Sequence, residues 1–219
     1  MKLDTLRTRL EAALAACAAK GGRCEPLEIG DPADEEELRT VEVQLGRALP
    51  RSLRKALALS REVRMRWFLP EELSPPAPLQ EIFSGDCFFS LRELTALEES
   101  RQGWVRASFP DEADPYDRVW HEKLPFAAVP NGDLLAIDLR AGDDGPVVYL
   151  SHDDGAGHGR VFGASFEDFL ERATLLGCPG NEDFQMMPFL GEGGLEPWGE
   201  NAGRWRRWFG LRADDLWAT

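Results

Sequence analysis

The residues best suited to chemistry in this sequence form a short segment rich in histidine and aspartate. His152, Asp153, Asp154 and His158 lie within seven residues, and imidazole and carboxylate groups together can bind zinc or a similar ion. The spacing matches no established metal motif, and a glycine-rich loop fixes no ligand geometry by itself. The alternative is that His152 ends a strand and the two acids face solvent. His121 could extend the metal-binding cluster only if the chain folds it alongside. We therefore predict no metal site and no cofactor.

Other catalytic patterns are absent from the sequence. Residues 155–159 resemble a phosphate-binding loop only in glycine content, because the Gly-Lys-Ser/Thr ending is missing and the neighbouring acids would repel phosphate. No serine lies in a Gly-x-Ser-x-Gly elbow, and no cysteine has a histidine close in sequence. The sequence thus predicts a non-enzymatic protein with no catalytic residues. A metal-binding enzyme that uses His152 and His158 is the weaker alternative.

The net charge of the chain restricts its partners. The 219 residues contain 25 Lys and Arg against 39 Asp and Glu, which gives a net charge of −14. Between residues 110 and 160, eleven acids stand against four basic residues, so half of the net charge lies in under a quarter of the chain. Nucleic acid and anionic lipid both require a positive surface. We therefore expect neither nucleic acid nor membrane as a partner.

The acids in the loop-like parts of this stretch are the candidate partner-binding residues. Charge complementarity to a basic partner would raise the association rate and select that partner. The alternative is that these acids only keep the protein soluble. The predicted partner-binding residues are Asp111, Glu112, Asp114, Asp117, Asp143, Asp144, Asp153 and Asp154.

The composition predicts a folded protein with reduced thiols. At 43% hydrophobic residues the chain can bury a core. No apolar run reaches the roughly 18 residues of a membrane span, and the first residues lack the apolar core of a signal peptide, so we expect a cytoplasmic protein. The four cysteines are too sparse for a disulfide framework. They are Cys17, Cys24, Cys87 and Cys178.

Five helices that position these residues are predicted from apolar periodicity and capping residues. The first has an apolar stripe from Leu3 to Cys17 and stops at Gly21. The second begins at Asp34, with Glu37 completing a capping box, and ends at Gly46. The others begin at Leu49-Pro50, at a second capping box formed by Ser90 and Glu93, and at Ser165.

Strands are predicted from short apolar runs between turn residues. Trp67-Phe68-Leu69 and Cys87-Phe88-Phe89 are two such runs. Residues 124–130 lead through the turn Asn131-Gly132 into residues 134–139, and residues 147–150 close an antiparallel meander. Helices and an antiparallel sheet together define an α+β fold.

The C-terminal segment is rich in tryptophan. Four of the seven tryptophans, Trp198, Trp205, Trp208 and Trp217, lie in the last 22 residues. A short irregular tail cannot bury them within itself, so it either packs on the main domain, which we favour, or forms an adhesive patch. One short helix is predicted there, with Trp205, Trp208 and Phe209 on one side.

The order of these motifs resembles the SUKH superfamily, the Smi- and Knr-like domains. The resemblance begins with Glu35-Glu36-Glu37-Leu38, Leu45-Gly46 and Leu49-Pro50. It continues through Leu124-Pro125-Phe126-Ala127, Asn131-Gly132-Asp133, Val147-Val148-Tyr149, His152-Asp153 and Ser165-Phe166-Glu167-Asp168-Phe169-Leu170. It divides the chain into an N-terminal helix and loop (1–33), a SUKH-like domain (34–178) and a Trp-rich extension packing on the core (179–219).

The resemblance implies both a fold and a role. The fold is a twisted, mostly antiparallel sheet flanked by helices. The role is protein binding, because many bacterial members resemble immunity proteins that neutralise polymorphic or contact-dependent toxins, often nucleases. Eukaryotic relatives resemble regulatory scaffolds, which is the alternative for this chain. The partner implied is a basic toxin domain.

Overall fold

The computed structural model describes residues 1–180, 182–212 and 216, and the predicted α+β fold is confirmed. The helices are α1 (Leu3–Ala19), α2 (Glu35–Leu45), α3 (Arg51–Leu57), α4 (Leu94–Ala107), α5 (Phe166–Leu175), α6 (Asp183–Met186) and α7 (Glu200–Phe209). The strands are β1 (Arg23–Cys24), β2 (Glu28–Ile29), β3 (Glu62–Phe68), β4 (Ser84–Ser90), β5 (Lys123–Ala128), β6 (Leu134–Asp138), β7 (Val147–Leu150), β8 (Val161–Gly163), β9 (Leu190–Gly191) and β10 (Gly194–Leu195).

The strands form two antiparallel four-stranded sheets and one small hairpin. In the first sheet β3 pairs with β4 along its whole length and with β1 and β2 at its two ends. In the second sheet the order is β5-β6-β7-β8, so the predicted meander is confirmed and gains a fourth strand. Pro125 lies in β5, an edge strand, where a residue without an N–H is tolerated.

Successive residues of β3 point alternately to a buried and a partly exposed face of the first sheet, as the two-residue period of a strand requires. Val63, Met65 and Trp67 of β3 point into the main core, and the intervening Arg64 and Arg66 lie on the other face. Gly85 of β4 is opposite Trp67, and a Cβ there would lie 2.0 Å from the indole ring. The strand therefore requires glycine at this position.

Local capping signals predict most helix ends correctly. Asp34 and Glu37 form the predicted capping box of α2, Gly46 ends that helix at φ 67°, and the Ser165 side chain caps α5. The predicted capping box at Ser90 is wrong. Ser90 is the buried last residue of β4 and makes no capping bond, because a 3₁₀ turn over Leu91–Glu93 separates it from α4.

The two terminal segments pack against the same core as the rest of the chain. Trp205 of α7 is fully buried, stacks on Phe209 and lies 6.2 Å from Trp67, ring centre to ring centre. Arg9 of α1 donates to the carbonyl of Leu216 and to the hydroxyl of Thr174 in α5. Trp217 lies outside the described residues. The division of the chain at residues 33 and 178 stays a prediction.

Among the described residues, no helix combines the length and apolar character needed to cross a bilayer.

We expect Trp205→Ala to lower the free energy of unfolding by about 3–5 kcal/mol, because it leaves a cavity beside Trp67 and removes the bond from its indole N–H to the Leu176 carbonyl. Urea unfolding measures the effect. Trp198→Ala is the matched control, since Trp198 is 60% exposed, and we expect it to cost about 1 kcal/mol or less. Equal losses in the two variants would contradict the burial of the tail.

Candidate functional site: an acidic surface on an aromatic platform

A small apolar cluster supports the most acidic part of the chain. The β5–β8 sheet buries Leu135, Ile137 and Tyr149 in the main core, and its other face packs toward α4. On that other face the rings of Phe109 and Trp120 stack with centres 4.8 Å apart. The remaining members of this cluster are Leu97, Leu134, Ala136, Val148 and Leu150, with Trp104 and Tyr116 packed against it.

Two acidic segments that are distant in sequence meet above this cluster. Tyr116 stacks on His158 with ring centres 3.8 Å apart. Its hydroxyl accepts a hydrogen bond from the Asp154 N–H (3.0 Å) and donates one to the Ser151 carbonyl (3.2 Å). We call the resulting set the acidic surface. It comprises Asp111, Glu112, Asp114, Asp117, Asp153 and Asp154.

Backbone hydrogen bonds hold these acids in fixed turns. The Asp114 carboxylate accepts from the N–H groups of Tyr116 and Asp117, and the Asp117 carboxylate accepts from the Asp111 N–H at 3.0 Å. Glu112 forms an ion pair with Arg140. Within residues 1–180, 182–212 and 216, the other five acids of the surface form no ion pair with Lys or Arg. Among the described residues, no Lys or Arg side chain therefore neutralises their negative charge.

The structure places Asp143 and Asp144 against the start of α3. The Asp143 carbonyl accepts from the Arg51 N–H, and the Asp144 carboxylate accepts from both the N–H (2.9 Å) and the hydroxyl (2.5 Å) of Ser52. Asp144 thus satisfies the free N–H group of Ser52 in the first turn of α3, the task of an N-cap residue, from a distant part of the chain. These two acids lie in a cleft beside α3 and do not join the acidic surface.

The three histidines do not converge on one ligand. His121 Nε2 is bonded to the Phe109 carbonyl. His158 Nδ1 accepts from the Ser151 N–H, so Nε2 carries the proton and donates to the Tyr116 carbonyl at 3.1 Å. Burial lowers the pKa of His158 from its usual value. His158 is therefore a neutral structural histidine.

Asp133 is the central residue of this region, and the sequence analysis missed it as a site residue. Its carboxylate is 1% exposed. Oδ1 accepts from the backbone N–H of His152 (2.8 Å) and lies 2.6 Å from Nδ1 of the same residue, and Oδ2 accepts from the Asn131 amide (2.8 Å) and the Tyr149 hydroxyl (2.7 Å). The sequence shows Asn131-Gly132-Asp133 as a turn and as part of the family resemblance, but not as a site, because two partners of Asp133 are contributed by β7 and the following loop.

The candidate metal ligands that the described residues bring together are Asp133, His152 and Asp153. Asp133 already has four hydrogen-bond contacts, about as many as a carboxylate can accept. A metal ion would have to displace bonds that hold the buried Tyr149 hydroxyl and the His152 backbone. The geometry thus favours a structural role for this carboxylate.

A second missed carboxylate explains the glycines of the loop. Asp183 of α6 is buried, and its Oδ2 accepts from the Gly157 N–H at 2.8 Å. A Cβ on Gly157 would lie 2.5 Å from the Asp183 Cβ, and one on Gly155 would lie 2.8 Å from Oδ2. The loop is glycine-rich because a buried aspartate approaches its backbone.

Fold and site together define an α+β protein with two antiparallel sheets and an acidic loop surface. The model of the SMI1/KNR4 family (SUKH-1) matches residues 32–172, well over half of the chain, and the chain belongs to this family. The resemblance inferred from the sequence is thereby confirmed. The match spans both segments of the acidic surface and leaves α1 and α7 outside. A search of curated proteins finds no match.

We expect Zn²⁺ added in slight excess to chelator-treated protein to leave the midpoint of thermal unfolding unchanged, because Asp133 has no free acceptor position. Differential scanning calorimetry with and without Zn²⁺ measures this. A stabilisation by Zn²⁺ that disappears in His152→Ala would contradict the structural role of the Asp133 carboxylate.

We expect His158 to make the protein less stable in mild acid. Its pKa in the folded state is lowered, so the unfolded chain, with a pKa of about 6.5, binds the proton more readily. The stability is therefore full above about pH 6.5 and falls as the pH drops toward the folded pKa, by at most about 1.4 kcal/mol per pH unit.

Urea unfolding of wild type and His158→Gln between pH 7 and pH 5 isolates this contribution, since all other titrating groups are shared. We expect a shallower pH dependence in the variant. Parallel curves would contradict the neutral state of His158.

Proposed function

We propose that this chain is a non-enzymatic protein-binding module of the immunity type, which acts in the cytoplasm to neutralise a basic toxin domain such as a nuclease. The acidic surface is the observation that supports the proposal. Five of its six acids lack Lys or Arg partners among the described residues, and all six lie in turns fixed by hydrogen bonds. The family's bacterial members resemble immunity proteins, which agrees with this reading.

Acidic side chains that are held in fixed positions suit an inhibitor of an enzyme that binds phosphate. A nuclease must present a positive surface to its substrate. Negative groups held in place on an inhibitor attract that surface over long range and compete with the nucleic acid. Because the Asp154 N–H and the Ser151 carbonyl both bond to the Tyr116 hydroxyl, the two acidic segments need little rearrangement before they bind.

The alternatives have less support in the geometry. A metal enzyme using His152 and His158 requires both histidines as ligands, yet both ring nitrogens of His158 are engaged by backbone groups. A scaffold that docks a host protein through its tryptophan-rich tail requires several exposed indoles. Among the described tail residues Trp198 is 60% exposed, whereas Trp205 is fully buried and Trp208 packs against the core.

The direct test uses the polypeptides encoded beside this chain in its own genome. Each is expressed in a heterologous bacterial host, alone and together with this chain. We expect one of them to arrest growth and co-expression to restore it, because the complex blocks the toxic domain. A neighbour that stays toxic despite stable co-expression of this chain would contradict the immunity role.

We expect Asp153→Asn/Asp154→Asn to reduce the association rate with that toxin about threefold or more at low ionic strength, and the loss to shrink as salt screens the charges. Stopped-flow or surface plasmon resonance measures the rate. Asparagine preserves the shape of both side chains and tolerates the left-handed backbone of Asp154 (φ 64°).

The matched control is Glu11→Gln/Glu36→Gln, which removes the same charge from α1 and α2, outside the acidic surface. Equal effects of the two double variants would show that only the total charge matters, and would remove the acidic surface from the proposal.

A further inference from the structure

Two phenylalanines on the surface are more exposed than their type predicts. Phe83 is 49% exposed and Phe184 is 40% exposed. Their ring centres are 6.4 Å apart, within the range of contacting aromatic pairs. Single exposed apolar residues are common, and here two exposed rings lie in contact with each other. We call these two residues the aromatic pair.

The aromatic pair is held in place by polar contacts on both sides. The Ser84 hydroxyl, next to Phe83, donates to the side-chain carbonyl of Gln185, next to Phe184. The Gly180 N–H donates to the Ser84 carbonyl. The two rings therefore project from backbone segments that are bonded to each other, so presenting both rings to a partner costs little ordering entropy.

A single buried carboxylate connects the aromatic pair to the acidic surface. Asp183 Oδ2 accepts from the Gly157 N–H at 2.8 Å, and Oδ1 accepts from the Phe184 N–H at 2.7 Å. Gly157 belongs to the loop that carries Asp153 and Asp154. The rings and the exposed acids thus lie on adjoining segments held by the same side chain.

The segments that supply the aromatic pair and the adjoining loop contribute acids and no basic residue. Residues 69–86, 151–159 and 182–192 contain nine acids, of which Asp183 is buried, and no Lys or Arg. Arg66 of β3 neutralises one of these acids, Asp86. An apolar patch with an acidic border does not suit anionic lipid, which such a border repels. It suits a protein surface on which an apolar side chain is surrounded by Lys and Arg.

We propose that the aromatic pair is the apolar anchor of the docking surface, and that its occupant is a basic protein segment with an apolar side chain between lysines or arginines. The proposal deepens the proposed function, on which it rests for the basic nature of the partner. Interfaces combine a desolvated apolar centre, often aromatic, with a charged rim. Here the aromatic pair supplies the centre and the acidic surface supplies one side of the rim.

Two synthetic peptides test the anchor without knowledge of the toxin. Both contain six lysines, and the central residue between them is leucine in one and glycine in the other. Isothermal titration calorimetry at low ionic strength measures both affinities. We expect the leucine peptide to bind about tenfold more tightly, because its side chain is removed from water against the rings.

Variants separate the anchor from the rim. We expect Phe83→Ala/Phe184→Ala to abolish the preference for leucine and to leave the affinity for the glycine peptide unchanged. Asp153→Asn/Asp154→Asn should weaken both peptides and keep the preference. Val43→Ala is the matched control, since Val43 is 79% exposed on α2, and it should change neither quantity. If the double alanine variant does not fold, Phe184→Gln alone provides the same readout.

Equal binding of the two peptides to the wild type, or a preference that survives Phe83→Ala/Phe184→Ala, would overturn the proposal. So would dimerisation in sedimentation that these substitutions abolish, because the aromatic pair would then bind a second copy of the chain. These results are independent of the growth-rescue assay. If growth rescue fails but the preference for the leucine peptide is intact, only the immunity role is contradicted. If rescue succeeds but the preference is missing, only the role of the aromatic pair as an anchor is contradicted.

Discussion

The arrangement of the loop that carries Asp153 and Asp154 depends on the buried carboxylate of Asp133. Burying a charge without partners is costly, and Asp133 meets this cost by accepting from Asn131, Tyr149 and His152. These partners belong to the β5–β6 turn, to β7 and to the loop that follows β7. One side chain therefore fixes the start of the loop that carries Asp153 and Asp154.

Asp183 fixes the far end of the same loop through the Gly157 N–H. Carboxyl groups thus lie beneath the loop as well as on it.

The features predicted correctly from the sequence are those determined by a few neighbouring residues. The capping box of Asp34 and Glu37, the left-handed Gly46 and the cap at Ser165 each act within one helical turn. Ser90 has the same local signature, but the pairing of β4 with β3 extends to Ser90 and its hydroxyl makes no cap. Where one residue could either pair in a strand or cap a helix, the local sequence pattern alone does not determine which of the two structures forms.

The candidate site required information that neighbouring residues do not carry. Asp144 and Asp154 look alike in the sequence, as paired acids in glycine-rich turns, yet Asp144 bonds to Ser52 at the start of α3 and Asp154 faces solvent. Asp133 and Asp183 were missed because their partners lie far along the chain. The two histidines that suggested a metal site both have structural partners. In each case the role of a polar residue is set by contacts that only the folded chain creates.

Charge alone does not account for tight and selective binding. Long-range attraction raises the rate of association, but exposed ion pairs add little to affinity because water and salt screen them. Affinity requires a patch from which water is excluded, and aromatic side chains provide the most contact area there. The carboxylates of the acidic surface lie above the buried cluster that contains Phe109 and Trp120, so the aromatic rings beneath them are largely covered. Phe83 and Phe184 are the exposed rings beside it. Phe184 is joined to the acidic loop through Asp183, and Phe83 contacts Phe184. Such a surface attracts a basic protein through its acids and holds it through these two rings. The association rate and the affinity of the complex are then set by different residues.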